Sequence, residues 1–116
     1  MKILVTGASG FVGCSLVPVL INARYNVFVC NRRKTNSPFS GKVKTYLVSE
    51  ISPKTNWTEA LSGIDAVVHL AGRAHFSNND LIEEQAAHDL INTAGTEHLA
   101  KSAAQAGVKK FIFIST

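Results

Sequence analysis

No apolar run in the sequence comes near the ~20 residues that a membrane-spanning helix needs. The short run Ile3-Leu4-Val5 behind Met1-Lys2 stops at Gly7, too soon for the apolar core of a signal peptide. A cytoplasmic chain with no membrane partner is therefore expected. Cysteine is scarce as well. Cys14 and Cys30 have no metal-ligand spacing, so ordinary buried thiols are expected and no metal site. Acid is nearly missing from one half. Residues 1–58 carry eight Lys or Arg and a single acid, Glu50, whereas residues 59–116 carry four Lys or Arg and seven acids. The basic half lacks the interleaved aromatics of a nucleic-acid surface, so no nucleic-acid partner is expected. A small phosphate-bearing ligand suits such a local positive field better.

What is present is globular. Apolar residues make up 46% and charged residues 17% of 116, which excludes disorder and points to one domain. Residues 2–6 form a β-branched apolar run bounded by glycine, the pattern of a buried strand. Residues 11–23 carry Val12, Leu16, Val19, Leu20 and Ala23 near helical spacing, with a bend expected at Pro18. Further strands are expected at 26–30, 45–48, 66–70 and 111–115. Residues 31–43 read as a basic loop and 57–61 as a short helix ending near Gly63. Residues 80–106 read as a long helix, with Asn79 and Gly107 as its caps. Its stripe Ile82, Ala86, Leu90 and Ala94 is a candidate core or interface face. Strands alternating with helices predict an α/β fold: a Rossmann-like, doubly wound parallel sheet of about five strands with helices on both faces. The wholly apolar runs AVVHL and FIFIS suit strands buried on both sides.

Three evenly spaced glycines, Gly7, Gly10 and Gly13, fall between the first strand and the first helix. Ligands of doubly wound sheets bind at such turns. A helix start offers unpaired N–H groups and the positive end of its dipole, which favour phosphate. Gly7 permits the tight turn, Gly10 lets a pyrophosphate approach the backbone, and Gly13 lets the helix pack close to the strand. The Ser9 hydroxyl can add a hydrogen bond. The spacing is G-x-x-G-x-x-G rather than G-x-G-x-x-G.

These residues carry a resemblance. TGASGFVG, residues 6–13, is similar to the TGxxGxxG fingerprint of the extended short-chain dehydrogenase/reductases, the NAD(P)-dependent sugar-nucleotide epimerases and dehydratases. His69-Leu70-Ala71-Gly72 resembles that family's HLAA or HLAG, and Asn92-Thr93-Ala94-Gly95-Thr96 its N-V-x-G-T. Residues 108–116, VKKFIFIST, resemble the strand that leads to its catalytic Ser or Thr. The motifs stand in family order along the whole chain.

The resemblance implies a dinucleotide floor made by Gly7, Ser9, Gly10, Phe11, Val12 and Gly13. Leu70, Ala71 and Gly72 would run under the cofactor ribose, and Glu50 and Ile51 would flank the adenine. Asn31 takes the place of the acid that holds the adenosine ribose in NAD enzymes, and Arg32 follows it. A guanidinium pairs with a 2′-phosphate that an acid would repel, so NADP is favoured over NAD. Arg73 and His75 fall where the family places substrate-side residues, which points to a nucleotide sugar. His69 reads as a packed strand residue, and His88 and His98 as exposed or interfacial. A homodimer through residues 80–106 is a further implication.

One family element is missing. Only Tyr25 and Tyr46 occur, and four residues beyond them stand Val29 and Glu50, so no Tyr-x-x-x-Lys exists. Thr116 aligns with the catalytic Ser or Thr but is the last residue. The chain is thus expected to be the N-terminal, NAD(P)-binding portion of an epimerase- or dehydratase-like oxidoreductase, inactive by itself and without the substrate-binding lobe. An NADPH-dependent carbonyl reductase and a non-catalytic dinucleotide-binding regulator are the alternatives.

Overall fold

The computed structural model describes residues 1–8, 10–31, 43–48, 51–70 and 82–114, with backbone alone for residue 11 and residues 82–92. Five strands, β1 (Lys2–Thr6), β2 (Asn26–Asn31), β3 (Lys44–Leu47), β4 (Ala66–His69) and β5 (Lys110–Phe113), form one sheet in the order β3-β2-β1-β4-β5. Every neighbouring pair is parallel. Helices α1 (Phe11–Asn22), α2 (Thr58–Leu61) and α3 (Ile82–Gln105) lie in the connections from β1 to β2, β3 to β4 and β4 to β5. The chain leaves β1 in one direction to β2 and β3 and returns to its other side for β4 and β5. The reversal lies between β1 and β4, the point at which doubly wound sheets take their ligands, outside the carboxyl ends of the strands.

Strand alternation divides the core in two. Ile3 and Val5 of β1 face one side, where they pack with Ala8, Val17, Val27, Val29, Ala66 and Val68. Leu16, Leu20 and Ile21 of α1 close over this cluster. Leu4 points the other way, to Trp57, Ala60, Leu61, Val67, Leu99 and Ala103 beneath α2 and α3. Each of these large apolar side chains contributes about 1.5–3 kcal/mol by leaving water. On α3 the buried stripe among the described side chains is Gly95, Leu99 and Ala103, one position along from the expected one, while Ala94 is half-buried. Ile82, Ala86 and Leu90 lie outside the described side chains.

Several expectations shift. β2 runs one residue further than expected, because Asn31 pairs with Leu47 and its carbonyl accepts the Val48 N–H at 2.9 Å. Asn31 is therefore a strand residue and not the first of a loop. The helix α1 continues through Pro18 to Asn22, where Arg24, at φ +69°, turns the chain into β2. Cys14 is exposed on α1, against the expectation of a buried thiol. The buried positions of α1 among the described side chains are Gly13 and Val17, and Cys14 is not one of them. Cys30 is buried, and loss of hydration pushes its thiol pKa up to about 12. The last strand also departs from the two-sided burial expected of it. β4 is buried at all four residues, but Ile112 and Phe113 of β5 are 48% and 51% exposed. Among the described strands β5 stands at the edge of the sheet, beside β4. Asn79 lies outside the described residues.

Candidate functional site

The strand registers bring Gly7, Asn31 and Leu70 of the sequence-predicted residues to one end of the sheet. Thr6 aligns with Cys30 on β2 and with His69 on β4, and Asn31 stands one residue beyond. Gly7 leaves β1 at φ +72°, a left-handed backbone that a side chain would strain. The Gly10 N–H then bonds back to the Gly7 carbonyl at 3.1 Å and closes a tight turn. Gly10 caps α1 with extended backbone, and its carbonyl accepts the Cys14 N–H at 2.9 Å.

Among the described residues no side chain caps α1, and its first turn carries no acid. Its leading N–H groups therefore keep their capacity for an anion. Gly13 explains why the helix can start so close to the strand. A Cβ there would stand 2.5 Å from the Ala8 carbonyl oxygen and 2.6 Å from Ala8 Cα. At Gly10 an added Cβ would meet the Gly7 carbonyl oxygen at 3.3 Å, a tight but open approach. Gly7, Gly10, Gly13 and Val12 thus share one edge with Asn31 and Leu70, whose N–H bonds to the Thr6 carbonyl at 3.1 Å. Val12 is exposed there and Leu70 half-buried. Phe11 contributes its backbone as the first residue of α1.

Asn31 is 6% exposed, and its side-chain Oδ1 has no hydrogen-bond partner among the described residues. A buried acceptor left unmade is costly, about 1–3 kcal/mol. Its place at the end of β2, beside the glycine turn, fits a ribose hydroxyl as the missing donor. The glycine turn and this orphaned acceptor together fit a dinucleotide.

Ile51 is half-buried beneath α3. Gly95 permits that contact, because a Cβ at residue 95 would lie 2.8 Å from the Ile51 carbonyl oxygen. His98, expected to be exposed or interfacial, is half-buried instead, and its Nε2 bonds to the Thr55 carbonyl oxygen at 2.8 Å. The helix thereby holds the segment 51–55 at two points.

His69 is fully buried, as expected of a packed strand residue. Both ring nitrogens are used. Nδ1 lies 2.5 Å from Thr6 Oγ1, and Nε2 lies 3.0 Å from Thr96 Oγ1 on α3. The ring stacks on Phe113 with centroids 5.4 Å apart. Burial disfavours the imidazolium and lowers the pKa to about 4. Thr6, Thr96 and Gly95 are the residues whose roles sequence reasoning missed. Thr6 and His69 could have been found by aligning β1 with β4. The bond to Thr96 depends on how α3 docks.

Ser9, Arg32, Glu50, Ala71, Gly72, Arg73, His75 and Thr116 lie outside the described residues. Among the described residues, no three His, Cys, Asp or Glu stand together as a metal site. No described helix is long and apolar enough to cross a membrane.

Comparison with known proteins agrees with this geometry. The model of the NAD dependent epimerase/dehydratase family matches residues 3–116. A UDP-glucose 4-epimerase of Vibrio cholerae is 39% identical over 116 residues, which cover 99% of this chain and 34% of the epimerase. A crystal structure of a UDP-glucose 4-epimerase from Thermotoga maritima, with UDP-glucose, superposes with a TM-score of 0.75 at 29% identity. It covers all of this chain and 38% of that protein. A short-chain dehydrogenase/reductase superfamily protein from Agrobacterium tumefaciens, with bound NAD, gives 0.74 at 28% identity over 100% of this chain and 33% of its own. The chain thus spans about a third of the length of these relatives. With a match that runs almost from end to end, the chain belongs to the NAD-dependent epimerase/dehydratase family.

Proposed function

We propose that the chain is the dinucleotide-binding portion of a sugar-nucleotide epimerase- or dehydratase-like oxidoreductase. The observation that carries this reading is the buried, unpartnered Oδ1 of Asn31 at the strand end next to the glycine turn. The solved relatives that hold NAD or UDP-glucose support the ligand class. The N–H groups of the Gly7–Gly13 turn would bind the pyrophosphate, with the Ser9 hydroxyl beside them. Asn31 would accept a ribose hydroxyl, and Ile51 and Glu50 would flank the adenine. Leu70, Ala71 and Gly72 would run under the cofactor ribose. When bound, the nicotinamide supplies reversible hydride exchange with a sugar carbon. Arg73, His75 and Thr116 would face the nucleotide sugar. No Tyr-x-x-x-Lys pair occurs in the sequence, so the 116 residues bind without turnover.

The same strand end bears on the choice of cofactor. Asn31 is uncharged and does not repel a 2′-phosphate, and Arg32 after it can pair with one. NADPH is therefore expected to bind about tenfold more tightly than NADH, the ~1.4 kcal/mol of one charge-assisted pair. Calorimetric titration with each cofactor tests this. Arg32→Ala should bring the two Kd values within about twofold of each other. A preference for NADPH that survives Arg32→Ala removes Arg32 from the account. A chain that binds neither cofactor removes the reading itself.

A further inference from the structure

We propose that Thr6, His69 and Thr96 form a hydrogen-bonded relay that positions the glycine turn from behind, making His69 and Thr96 positioning residues of the dinucleotide site. The proposal rests on the reading of the turn as that site. Thr6 is the last residue of β1 and directly precedes Gly7, so any shift of Thr6 is passed to the turn. Its hydroxyl meets His69 Nδ1 where both residues are fully buried. The other nitrogen of the same ring meets the Thr96 hydroxyl at 3.0 Å. A neutral imidazole has one N–H and one lone pair. If one threonine hydroxyl donates to the ring, the other must accept from it. The hydrogen-bond direction at Thr96 is thereby tied to that at Thr6, across β4.

Two further contacts argue for more than adhesion between elements. Phe113 stacks on the imidazole at 5.4 Å and restrains its tilt. The residue beside Thr96, Gly95, lies so close to Ile51 that a Cβ there would stand 2.8 Å from the Ile51 carbonyl oxygen. One short stretch of α3 therefore meets the chain leading to the adenine-side residue and, through the ring, the strand end that carries the turn. An apolar side chain at residue 69 would fill the same space without desolvating two nitrogens, a burial that is unfavourable unless both are satisfied. The polar solution stands at the strand end that leads into the site.

The test uses Thr96→Val, which removes one hydroxyl and keeps the shape, and Thr96→Ser, which returns it. In amide spectra of the unliganded chain, the Gly7 and Gly10 signals should move in Thr96→Val and return in Thr96→Ser. The NADPH Kd, measured where all forms are folded, should weaken about fivefold and then recover to within about twofold. A merely adhesive role lowers the melting temperature of Thr96→Val and leaves both the glycine signals and the Kd in place, and that result overturns the proposal. Should Thr96→Val fail to fold, the unsubstituted chain decides. The imidazole nitrogen signals of His69 should shift when the glycine turn is saturated with NADPH, and a pair that stays unmoved refutes the relay. If NADPH does not bind at all, the dinucleotide reading fails, and the relay stands or falls on the glycine amide signals alone.

Discussion

Gly13→Ala is expected to destabilise the chain by about 3 kcal/mol, at the upper end of what overpacking costs, and to remove dinucleotide binding. The added methyl would sit 2.5 Å from the Ala8 carbonyl oxygen, 2.6 Å from Ala8 Cα and 2.7 Å from its carbonyl carbon. All three are backbone atoms of a fully buried residue, so no side chain can swing aside. The first turn of α1 must lift off the strand, and its N–H groups move with it. Gly10→Ala makes the instructive contrast. Its Cβ would meet one carbonyl oxygen at 3.3 Å, which a few tenths of an ångström relieve. Its stability should fall by about 1 kcal/mol or less, yet a methyl would stand where the pyrophosphate approaches. Urea unfolding and cofactor titration of the two variants should therefore rank them differently. Gly13→Ala loses both stability and binding, and Gly10→Ala loses mainly binding. Equal stabilities would contradict the close contact between α1 and Ala8.

Acid should destabilise the fold through His69 before general carboxylate titration dominates. The folded pKa is about 4, below the 6.5 of an exposed imidazole. Between those values the unfolded chain binds a proton that the folded chain refuses. Stability therefore rises with pH through this window and is lost as pH falls from 6.5 towards 4. At about 1.4 kcal/mol for each pH unit, the loss is about 2 kcal/mol at pH 5 and about 3 kcal/mol at pH 4. That is a large share of the 5–15 kcal/mol that holds a domain of this kind. His69 is fully buried, so solvent does not screen the effect. Urea unfolding between pH 7 and pH 4.5 checks it against His69→Gln, which lacks the titrating group. The substituted chain should show a flatter dependence on pH, although it is less stable at pH 7. Parallel pH profiles would mean that His69 protonates without loss of structure.

Most of the architecture was legible because its punctuation is local. Apolar runs bounded by glycine gave the strands, and the alternation of strand and helix gave the parallel sheet. The ends moved by one or two residues wherever a partner strand decides them, as at Asn31, which the ladder to Leu47 draws into β2. The burial of β5 was misjudged because FIFIS reads like a central strand, while its exposure depends on its place at the sheet edge. Cys14 was misjudged because scarcity of cysteine says nothing about which face of a helix carries it. Gly7 and Gly13 were legible as individual residues, since each answers a steric demand set within the turn itself. The relay was not. Thr96 lies 27 residues from His69 in sequence, and its meeting with the ring is settled by how α3 docks on the sheet. His98 and Thr55 escaped for the same reason, since they are 43 residues apart.

The central claim is that the turn from Gly7 to Gly13, with Asn31 beside it, is a working dinucleotide site in these 116 residues. Amide spectra recorded during titration with NADPH test it most directly. Saturable movement of the Gly7, Gly10, Val12 and Gly13 signals, together with the side-chain amide of Asn31, is the predicted result. Signals that stay in place at saturating cofactor, or move only along β3 and β5, would contradict it.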